Sequence, residues 1–577
     1  MPTAHGNTTS SVDGQGSVYT NATLQMLSGR DLIASVSSSH ISAHLSSQPR
    51  TIYLGVDPTA PSLHLGNLVP IIALIWLVKA GHRGILLIGG ATGSIGDPSG
   101  KSTERPDMDR GELHKNVQAL KSQLDSLIRN LNAHFGGAAS ASSDNGGVQR
   151  TPLEEAAAAG TGAAAERAAD EVIGGPSAQG NSTAPVAGSQ ALEEGAERSA
   201  TGALDIQILN NQDFYEGIGI LDFLRDIGRY VRIGEVLARD SVKTRLPPPH
   251  GTSTSPHAGL SYTEFSYQLL QAYDFYLLNA RPDIGCSMQI GGSDQMGNIS
   301  AGVELIRRKR FGSASNALQE ADLDDTQAES PAAAASSSSS RRLPPAYGMT
   351  LPLLTTSSGA KLGKSAGNAI FLSRDLCSDY DFYQYLLRTT DEDVTKLLHC
   401  LTFLSSEEIA AAEGARGARQ VLLADEVTRL FRGPEALASA KRMTNLLHVA
   451  FAACEGRGGL QETLDSHDGM RNELHLMARA SESMTKADAK VLRLSKGNVL
   501  GQSLVDVLVL TGLADSKVQA RRLLQGGAYL NNVPLTSDSA AAGVFTEKDV
   551  ATFRDRPEEG IVLLRKGKRT AKVLLLV

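Results

Sequence analysis

The chain has 577 residues, of which 41% are hydrophobic and 20% charged, and its formal net charge is −7. This length predicts two or three domains, and the longest apolar run, Leu68 to Val78, is too short to cross a bilayer. The four cysteines lie far apart and form no C-x-x-C pair. They therefore argue against a zinc site or a disulfide framework, and they fit a reducing compartment.

The acidity is concentrated in two segments that are rich in Ala, Gly and Ser. Residues 137–202 carry a net charge of −6 and residues 313–342 carry −3, so the rest of the chain has a net charge of +2. Such segments bury too little apolar surface to offset the entropy of ordering, and we predict that both are disordered loops. A role as a tether or partner site stays open. Residues 247–256 predict a shorter surface loop.

Apolar strands alternate with helices outside these segments. Continuous apolar runs are typical of strands buried in a parallel sheet. The alternation indicates an α/β fold with a Rossmann-like, doubly wound parallel sheet, whose site lies at the carboxyl ends of its strands. The pattern predicts strand Thr51–Val56, helix Leu65–Ala80, strand Gly84–Gly90, helix Leu113–Phe135, strand Asp205–Asn210, helix Ser261–Leu278, strand Cys286–Gly291 and helix Asn298–Arg310.

The pattern changes twice after this α/β region. From Tyr380 to about Met484 it predicts helices and no strands, and from about Gly501 it predicts two short helices followed by short strands. We therefore predict a leader (1–22), an α/β domain that contains both acidic insertions (23–375), an all-α domain (376–490) and a small C-terminal α/β module (498–577).

Two separated motifs carry the strongest chemical signal. Tyr53–Asn67 reads as a strand, a turn and the start of a long apolar helix, with His64 at that start. Backbone N–H groups and the helix dipole favour a bound phosphate there. The second motif, Lys361-Leu-Gly-Lys-Ser365, places two lysines on a short glycine-containing loop suited to polyphosphate. Together the motifs indicate ATP chemistry in which pyrophosphate leaves.

A glycine-rich segment follows the second predicted strand, from Gly89 to Ser102. It ends in Gly-Lys-Ser, but the Walker spacing would need a glycine where Ile95 stands, so the segment is not a P-loop. Its glycines still let a ligand approach the backbone closely. Asp97 would then meet a substrate ammonium or hydroxyl group.

Taken together, these motifs resemble the tyrosyl-tRNA synthetases of the bacterial and organellar type, which are class I aminoacyl-tRNA synthetases. His64-Leu-Gly-Asn67 is similar to the HIGH signature of that class, and Lys361–Ser365 is similar to its KMSKS loop. Phe265–Asp274 resembles the helix that binds tyrosine, and Gln289–Asn298 resembles the segment that lines the ribose and the amino acid. The resemblance runs from about Leu24 to the end of the chain, apart from the acidic insertions.

The resemblance implies a reaction and a role for each matching residue. The tyrosine carboxylate would attack the α-phosphorus of ATP, which enters with Mg²⁺, and no metal ligand on the protein is implied. Tyrosine would be bound by Tyr53 and Asp274 at the phenol, by Tyr267, Asp97 and Gln271 at the ammonium group, and by Gln289 and Asn211 on the pocket wall. ATP would meet Thr59, His64, Asn67, Gly55, Asp57, Gly66, Gly291 and Gln295, with Asp294 at the ribose hydroxyls. The leaving pyrophosphate would meet Lys361, Lys364, Ser365, Lys101 and Arg105.

Some positions depart from the family pattern. Asn67 stands where HIGH ends in histidine, and an amide can still donate to an anion. Leu362 and Gly363 replace Met-Ser between the two lysines, so both cations remain. Leu54 stands where many relatives have cysteine, and Met296 stands where tryptophan is common. We therefore expect these changes to leave activity in place.

The C-terminal module predicts RNA as the second substrate. Residues Asp515–Asn531 read as an amphipathic helix, a glycine turn and a strand, and they resemble a small RNA-binding domain shared with a ribosomal small-subunit protein. Its basic side chains would contact the backbone and shape of a folded tRNA. They are Lys517, Arg521, Arg522, Arg565, Lys566, Lys568 and Arg569.

The resemblance therefore implies a tyrosine–tRNA ligase that charges tRNA(Tyr). Residues 23–375 would be the catalytic domain and residues 376–490 the anticodon-region domain. Relatives are homodimers, which places Leu221–Val236 in the expected subunit contact. Two alternatives stay open: a non-catalytic organellar RNA-binding or splicing factor on the same scaffold, and a tryptophan–tRNA ligase. Tyr53 with Asp274 and the C-terminal module argue against the second.

The N-terminal segment bears on location. The first twenty residues are rich in Ser and Thr and contain one acid and no Lys or Arg. Few acids and many hydroxyls suit a transit peptide, whereas the missing arginines do not. Alanine- and serine-rich insertions in a bacterial-type chain suggest a eukaryotic gene. We therefore expect the mitochondrial matrix, with the cytoplasm or a plastid as the alternatives.

Overall fold

The structure is a computed structural model, and most of the predicted acidic insertions and the predicted loop at 247–256 lie outside the residues it describes. Of the predicted leader it describes residues 19–22, where Asn21 caps the first helix and Tyr19 packs against the core. Ordered structure therefore begins before residue 23. The described residues are 19–99, 108–141, 203–243, 260–311, 343–357, 364–365, 368–412, 417–455, 474–475, 478–479, 491–531, 533–535, 543–552, 556–567 and 570–577.

A six-stranded sheet forms the centre of the first part of the chain. Its strands are β1 (Ser35–Val36), β2 (Thr51–Val56), β3 (Arg83–Ile88), β4 (Ile206–Asn210), β5 (Cys286–Gly292) and β6 (Tyr347–Leu351). They lie in the order β1-β6-β5-β2-β3-β4. All neighbouring pairs are parallel except β1 and β6, which are antiparallel. The Rossmann-like α/β fold is confirmed, with an antiparallel edge strand that the apolar pattern did not indicate.

Helices cover both faces of this sheet. The predicted helix Leu65–Ala80 is in fact a 3₁₀ turn, Leu65–Asn67, followed by an α-helix. The fourth helix continues to Ala141, which is five residues into the segment predicted to be disordered. The helices are α1 (Ala22–Gly29), α2 (Ile41–Ser47), α3 (Leu68–Lys79), α4 (Arg110–Ala141), α5 (Gln212–Tyr215), α6 (Ile220–Asp226), α7 (Ile233–Leu237), α8 (Asp240–Lys243), α9 (Tyr262–Ala280) and α10 (Met296–Phe311).

The alternation of side chains along β2 separates two apolar layers. Ile52 and Leu54 belong to the layer under α3 and α4, whereas Tyr53 belongs to the opposite layer with Phe275 of α9. Gly302 of α10 lets α9 and α10 approach closely, because a Cβ there would lie 2.8 Å from the ring of Phe275. The Tyr53 side chain, in the same layer as Phe275, lies on the face of the sheet that α9 covers.

The helical part after residue 376 shares the first apolar layer. The cluster that contains Leu124 of α4 also contains Leu423 and Val427, so one continuous core joins the two parts. The described residues of this part contain helices and no strand, as the pattern predicts. A two-stranded hairpin, β7 (Lys364–Ser365) and β8 (Asn368–Ala369), precedes α11 (Asp379–Leu387), α12 (Asp391–Leu401), α13 (Ser406–Ala411), α14 (Ala418–Arg432) and α15 (Pro434–Glu455).

The C-terminal module has two helices on a second sheet. The predicted order of helices followed by strands is confirmed, but the pattern missed a first strand that pairs in parallel with the last. The elements are β9 (Val491–Leu494), α16 (Leu504–Leu510), α17 (Lys517–Leu524), β10 (Ala528–Leu530), β11 (Val533–Pro534), β12 (Ala551–Thr552), β13 (Gly560–Lys566) and β14 (Thr570–Leu576). Among the described residues of the whole chain, no helix is both long and apolar enough to cross a membrane.

Candidate active site

A cavity of about 390 Å³ opens at the carboxyl ends of the parallel strands, where an open α/β sheet is expected to bind its ligands. A smaller cavity of about 220 Å³ adjoins it and shares Asp57, Asp97 and Asp294 with it. The larger cavity is lined by all seven residues predicted to bind tyrosine, and by His64, Asn67, Gly55, Asp57, Gly66, Gly291, Asp294 and Gln295 from the predicted ATP set. Thr59 lines the smaller cavity.

Asp274 lies at the closed end of the larger cavity, where its side chain is 3% exposed. The Asn211 side-chain amide donates to its Oδ2 at 2.9 Å, and the Tyr215 hydroxyl donates to its Oδ1 at 2.9 Å. Burial raises the pKa of Asp274 to about 7, and the charge of Asp57 adds to this, although the two hydrogen bonds oppose the rise. The structure thus buries a carboxyl group that titrates near neutrality.

The hydroxyl of Tyr53 is buried beside this carboxyl group and has no hydrogen-bond partner among the described residues. Burial raises the pKa of Tyr53 well above its usual value, so the hydroxyl keeps its proton. A buried hydroxyl without a partner is costly. A ligand hydroxyl between Tyr53 and Asp274 would satisfy it, because it can accept from one and donate to the other.

Asn211 joins this end of the cavity to the glycine-rich turn after β3. Besides Asp274, its Nδ2 also donates to the Thr92 hydroxyl at 2.9 Å, and its Oδ1 accepts from the main-chain N–H of Ala91 at 2.8 Å. The side chain is 1% exposed. The turn after β3 therefore fixes Asn211, and Asn211 fixes one oxygen of Asp274.

A second polar cluster surrounds Asp97. Its Oδ2 accepts from Gln295 Nε2 at 2.6 Å, and its Oδ1 accepts from the Ser99 main chain at 2.9 Å. Asn298 is fully buried, and its Nδ2 lies 3.2 Å from Asp97 Oδ1 and 3.1 Å from Gln271 Oε1. Asn298 therefore joins two of the residues predicted to bind the substrate ammonium.

The third residue of that predicted set, Tyr267, points at a different carboxylate. Its hydroxyl donates to Asp57 Oδ1 at 3.4 Å. Gln289, on the pocket wall, has a buried Oε1 with no hydrogen-bond partner among the described residues. The cavity thus presents two carboxylates and a spare amide oxygen, a set of acceptors that suits an ammonium group.

Sequence reasoning missed Asn298 and Tyr215 as site residues. Asn298 closes the recognised segment Gln289–Asn298, so its position in that motif was the available signal. Tyr215 lies on the four-residue helix α5, outside every recognised motif. No periodicity or spacing in the sequence points to it.

The first motif forms a tight turn before α3. The His64 main-chain N–H donates to Asn67 Oδ1 at 3.0 Å, so the amide that replaces the second histidine of HIGH shapes this turn. The chain that follows the second motif lies close by, since the Leu65 N–H donates to the Ile370 carbonyl oxygen at 2.9 Å. The first motif is therefore hydrogen-bonded to the chain five residues after the second motif.

The cationic residues of the site are only partly described. The second motif was predicted as a loop, but the backbone of Lys364 and Ser365 begins the β7–β8 hairpin, because it pairs with Asn368 and Ala369. The positions of the side chains of Lys364 and Ser365 lie outside the description, as do Lys101, Arg105 and Lys361 altogether. Their roles stay predictions.

The predicted RNA-binding residues lie on the C-terminal module. Arg521 and Arg522 of α17 are exposed, whereas Lys517 forms an ion pair of 2.7 Å with Asp506. The Arg565 guanidinium lies over the Tyr529 ring at 4.0 Å from its centroid. Lys566 is half-buried at the end of β13, and Lys568 and Arg569 lie outside the described residues.

Several exposed apolar side chains lie in or near the region predicted to contact a second subunit. Ile220 and Leu221 are 70% and 76% exposed, and Ile233 and Tyr262 are similarly exposed. Large apolar side chains grouped on a surface are typical of an interaction site. These side chains lie on α6, α7 and the start of α9.

Comparisons with known proteins agree with this geometry. The family model of class I tRNA synthetases (W and Y) matches residues 45–448. The chain is 34% identical to the chloroplastic/mitochondrial tyrosine–tRNA ligase of Arabidopsis thaliana, over 96% of this chain and 84% of that protein. It is 32% identical to the tyrosine–tRNA ligase of Protochlamydia amoebophila, over 96% of this chain and 99% of that protein.

A solved structure is also similar. The C-terminally truncated mitochondrial tyrosyl-tRNA synthetase of Aspergillus nidulans matches with a TM-score of 0.52 and 26% identity, over 74% of this chain and 94% of that one. Two organellar relatives and a bacterial one are thus similar to the chain over most of its length. On these matches the chain belongs to the class I tRNA synthetases, in the family that includes the tyrosine–tRNA ligases.

Proposed function

We propose that this chain is a tyrosine–tRNA ligase, which activates tyrosine with ATP to tyrosyl-AMP and then transfers the tyrosyl group to the 3′ end of tRNA(Tyr). The observation that carries the proposal is the closed end of the cavity. There the buried Tyr53 hydroxyl lacks a partner among the described residues, and it lies beside the carboxyl group of Asp274. A phenol satisfies both groups, since it accepts and donates. An indole N–H only donates, so tryptophan fits less well.

The polar cluster around Asp97 supports the position of the amino group. Asp97 and Gln271 are joined through Asn298, and Tyr267 reaches Asp57. A tyrosine whose phenol lies at Asp274 would direct its ammonium group to these acceptors. Its carboxylate would then face the first motif, where ATP is proposed to bind.

ATP is the proposed second ligand of the cavity. The turn at His64 and Asn67 precedes the long helix α3, whose positive dipole end favours phosphate. Asp294, at the start of the turn after β5, would accept from the ribose hydroxyls. Magnesium would enter with the phosphates of ATP, which supply much of its coordination in such sites. Among the described residues there is no group of three or more His, Cys, Asp or Glu that could hold a metal by itself.

The proposed chemistry needs position and charge rather than a covalent intermediate on the protein. As the tyrosine carboxylate attacks the α-phosphorus, negative charge grows on the bridging oxygen and on the β- and γ-phosphates. Donors and cations that meet these oxygens best in the transition state raise the rate. We assign this role to His64, Asn67 and Thr59 and to the lysines of the second motif.

The second substrate and the assembly are proposals of the same kind. The exposed Arg521 and Arg522 of α17 suit the tRNA backbone. The apolar surface with Ile220 and Leu221 suits a homodimer contact. Light scattering of the purified chain should give twice the monomer mass, and replacement of Leu221 by Asp should reduce it to the monomer mass.

For location, we propose the mitochondrial matrix. The similarity to plant organellar and fungal mitochondrial enzymes supports this, although bacterial relatives match equally well. A fluorescent fusion to the C-terminus should colocalise with a mitochondrial marker. A diffuse cytoplasmic or plastid signal would contradict the proposal.

Tyrosine-dependent exchange of pyrophosphate into ATP tests the activity directly. We expect exchange with tyrosine and very little with tryptophan or phenylalanine. No exchange by the folded chain would exclude a ligase and favour a non-catalytic RNA-binding protein. Replacing Asp274 by Ala should weaken the use of tyrosine far more than the use of ATP. Equal losses would contradict the phenol-binding role.

A further inference from the structure

Tyr215 makes a contact that none of the motifs explains. Its hydroxyl donates to Asp274 Oδ1 at 2.9 Å and lies 3.0 Å from the carbonyl oxygen of Leu270, one turn earlier on α9. Asn211 donates to the other oxygen of the same carboxyl group. Both oxygens of Asp274 are therefore held by protein donors before any substrate is present.

This arrangement restricts what Asp274 can do. A carboxylate held at both oxygens cannot rotate about its terminal bond, and its remaining lone pairs point in fixed directions. Charge-assisted hydrogen bonds of this kind favour the ionised form. Burial raises the pKa of Tyr215 far above its usual value, as does the nearby charge of Asp274. The Tyr215 hydroxyl therefore keeps its proton and remains a donor.

We propose that Tyr215 is a positioning residue that determines specificity: its hydroxyl keeps Asp274 in the orientation and the charged form that accept the hydroxyl of tyrosine. The inference rests on the proposed function and deepens it. Without this donor the carboxyl group would be neutral over a wider pH range and held by a protein donor at one oxygen only. A neutral carboxyl group is less costly to bury against an apolar ring edge, so the penalty for binding phenylalanine would fall.

Other groups also face Asp274. They are the Tyr53 hydroxyl from β2, the Asp57 carboxylate from the turn after β2, and Tyr273 from α9 itself, with the neutral amide of Asn211 after β4. The charge of Asp57 favours the protonated form of Asp274, whereas the Tyr53 hydroxyl has no hydrogen-bond partner among the described residues. The donors that oppose protonation are Asn211 and Tyr215. Removal of the Tyr215 hydroxyl therefore shifts the Asp274 titration to higher pH.

The test is the Tyr215→Phe variant of the full chain, which keeps the ring and removes the hydroxyl. We expect KM for tyrosine in the exchange reaction to rise roughly tenfold or more near neutral pH, as the loss of a hydrogen bond to a charged group implies. The pH at which tyrosine affinity is half-maximal should move upward by about one unit. The value of kcat/KM for phenylalanine should not fall, so discrimination between the two amino acids decreases at least tenfold.

Tyr273→Phe is the matched control. Its ring packs against the Tyr215 ring, with 5.5 Å between centroids, and its hydroxyl is not a donor to Asp274 among the described contacts. Its pH profile and its discrimination should remain those of the unaltered chain. An equal shift in both variants would mean that packing, rather than the Tyr215 hydroxyl, sets the titration, and would overturn the proposal.

A double variant separates positioning from folding. If Tyr215 acts through Asp274, then Tyr215→Phe combined with Asp274→Asn should bind tyrosine no worse than Asp274→Asn alone. Additive losses would overturn the proposal, even if the single Tyr215 variant were poorly folded. Absence of exchange in the unaltered chain would instead overturn the proposed function. Normal exchange with an unchanged Tyr215→Phe profile would exclude the role of Tyr215 alone.

Discussion

The main-chain N–H of Leu65 donates to the carbonyl oxygen of Ile370 at 2.9 Å, and this bond joins the first motif to the chain just after the second. The Leu372 N–H donates in turn to the Leu63 carbonyl at 2.8 Å, and the Ser373 N–H donates to the Ser62 hydroxyl at 3.0 Å. Residues 370–373 thus run antiparallel to the first motif, beside His64. Lys364 therefore lies a few residues before a segment, residues 370–373, that the first motif holds in place.

Arg432, in the helical part of the chain, also holds this segment in place. The first prediction concerns its replacement by Met. Its guanidinium, 2% exposed, donates to the carbonyl oxygens of Phe371 and Cys377 at 2.9 and 2.8 Å and pairs with Asp379 at 3.0 Å. Loss of one partner of a buried ion pair should destabilise the fold by about 3 kcal/mol. The exchange rate should fall while tyrosine affinity remains, because β2, β5 and α9 build the tyrosine end of the cavity.

Arg374→Met is the control for this prediction. Arg374 pairs with the same Asp379 at 3.2 Å, but its side chain is 55% exposed. An exposed pair contributes about 1 kcal/mol or less, so thermal unfolding and exchange should change little. If Arg432→Met unfolded at the normal temperature and catalysed pyrophosphate exchange at the normal rate, the contacts of Arg432 with this segment would not matter for the second motif.

The second prediction concerns pH. Because the pKa of Asp274 is about 7, and because the phenol of tyrosine would donate to its ionised form, binding must displace a proton below that pH. Tyrosine affinity should therefore decrease up to about tenfold for each pH unit below 7 and level off above it. Calorimetric titration with tyrosine between pH 5.5 and 8.5 would measure this. The Asp274→Asn variant should bind weakly with no step near 7, and a flat profile in the unaltered chain would refute the prediction.

The third prediction is a gain in stability. The folded pKa of Asp274 lies above its unfolded value of 3.8. The stability that this group contributes is therefore fully present below about pH 4 and is lost as pH rises through 7. Asp274→Asn removes this loss and should raise the free energy of unfolding at pH 8 by roughly 1–4 kcal/mol. Thermal unfolding should show a difference between variant and unaltered chain that grows from pH 5 to pH 8. A constant or shrinking difference would mean that the carboxyl group is not buried in charged form.

Much of the sheet could be predicted because burial on both faces leaves a continuous apolar run. Thr51–Val56 is the clearest case, since the predicted strand and the observed β2 coincide. Two strands were missed, the edge strand Ser35–Val36 and its neighbour Tyr347–Leu351. The first is too short to show a period. The second follows an acidic segment and lies between β5 and β1, a pairing that no local pattern reveals.

The same difference between a local sequence signal and a contact made only after folding applies to the residues of the site. Asp274, Gln271 and Tyr267 could be predicted because they share one face of one helix and belong to a recognised motif. Tyr215 could not, since its role depends on α5 packing against α9 after the chain has folded. Its only signal is a distance of 2.9 Å, and that exists in three dimensions alone.

The fourth prediction tests Asn298 as the centre of the ammonium-binding cluster. Asn298→Ala removes the donor that Asp97 and Gln271 share, so KM for tyrosine should rise roughly tenfold or more. KM for ATP should change less. Ser300→Ala is the control, because its hydroxyl bonds to the sulfur of Met296 on the same helix rather than to the cavity. Equal increases in both Michaelis constants after Asn298→Ala would indicate general misfolding of the site.

The fifth prediction separates tRNA binding from activation. Reversal of charge at Arg521 and Arg522, both exposed on α17, should leave tyrosine-dependent exchange unchanged, because the module lies outside the cavity. KM for tRNA should rise. The slope of log affinity against log salt should become shallower by about 1 to 2, as expected when one or two phosphate contacts are lost.

Arg556→Glu, compared with the reversal of Arg521 alone, supplies the matched change of charge for this experiment. It lies on the same module, 57% exposed, but pairs with Glu558 at 3.2 Å. Because its charge is already partly compensated, its reversal should change KM for tRNA less than reversal on α17 does. If the two reversals weakened tRNA binding equally, the net charge of the module rather than α17 would determine affinity. If neither did so, the RNA surface would lie elsewhere on the chain, and Arg565 beside Tyr529 would be the next residue to replace.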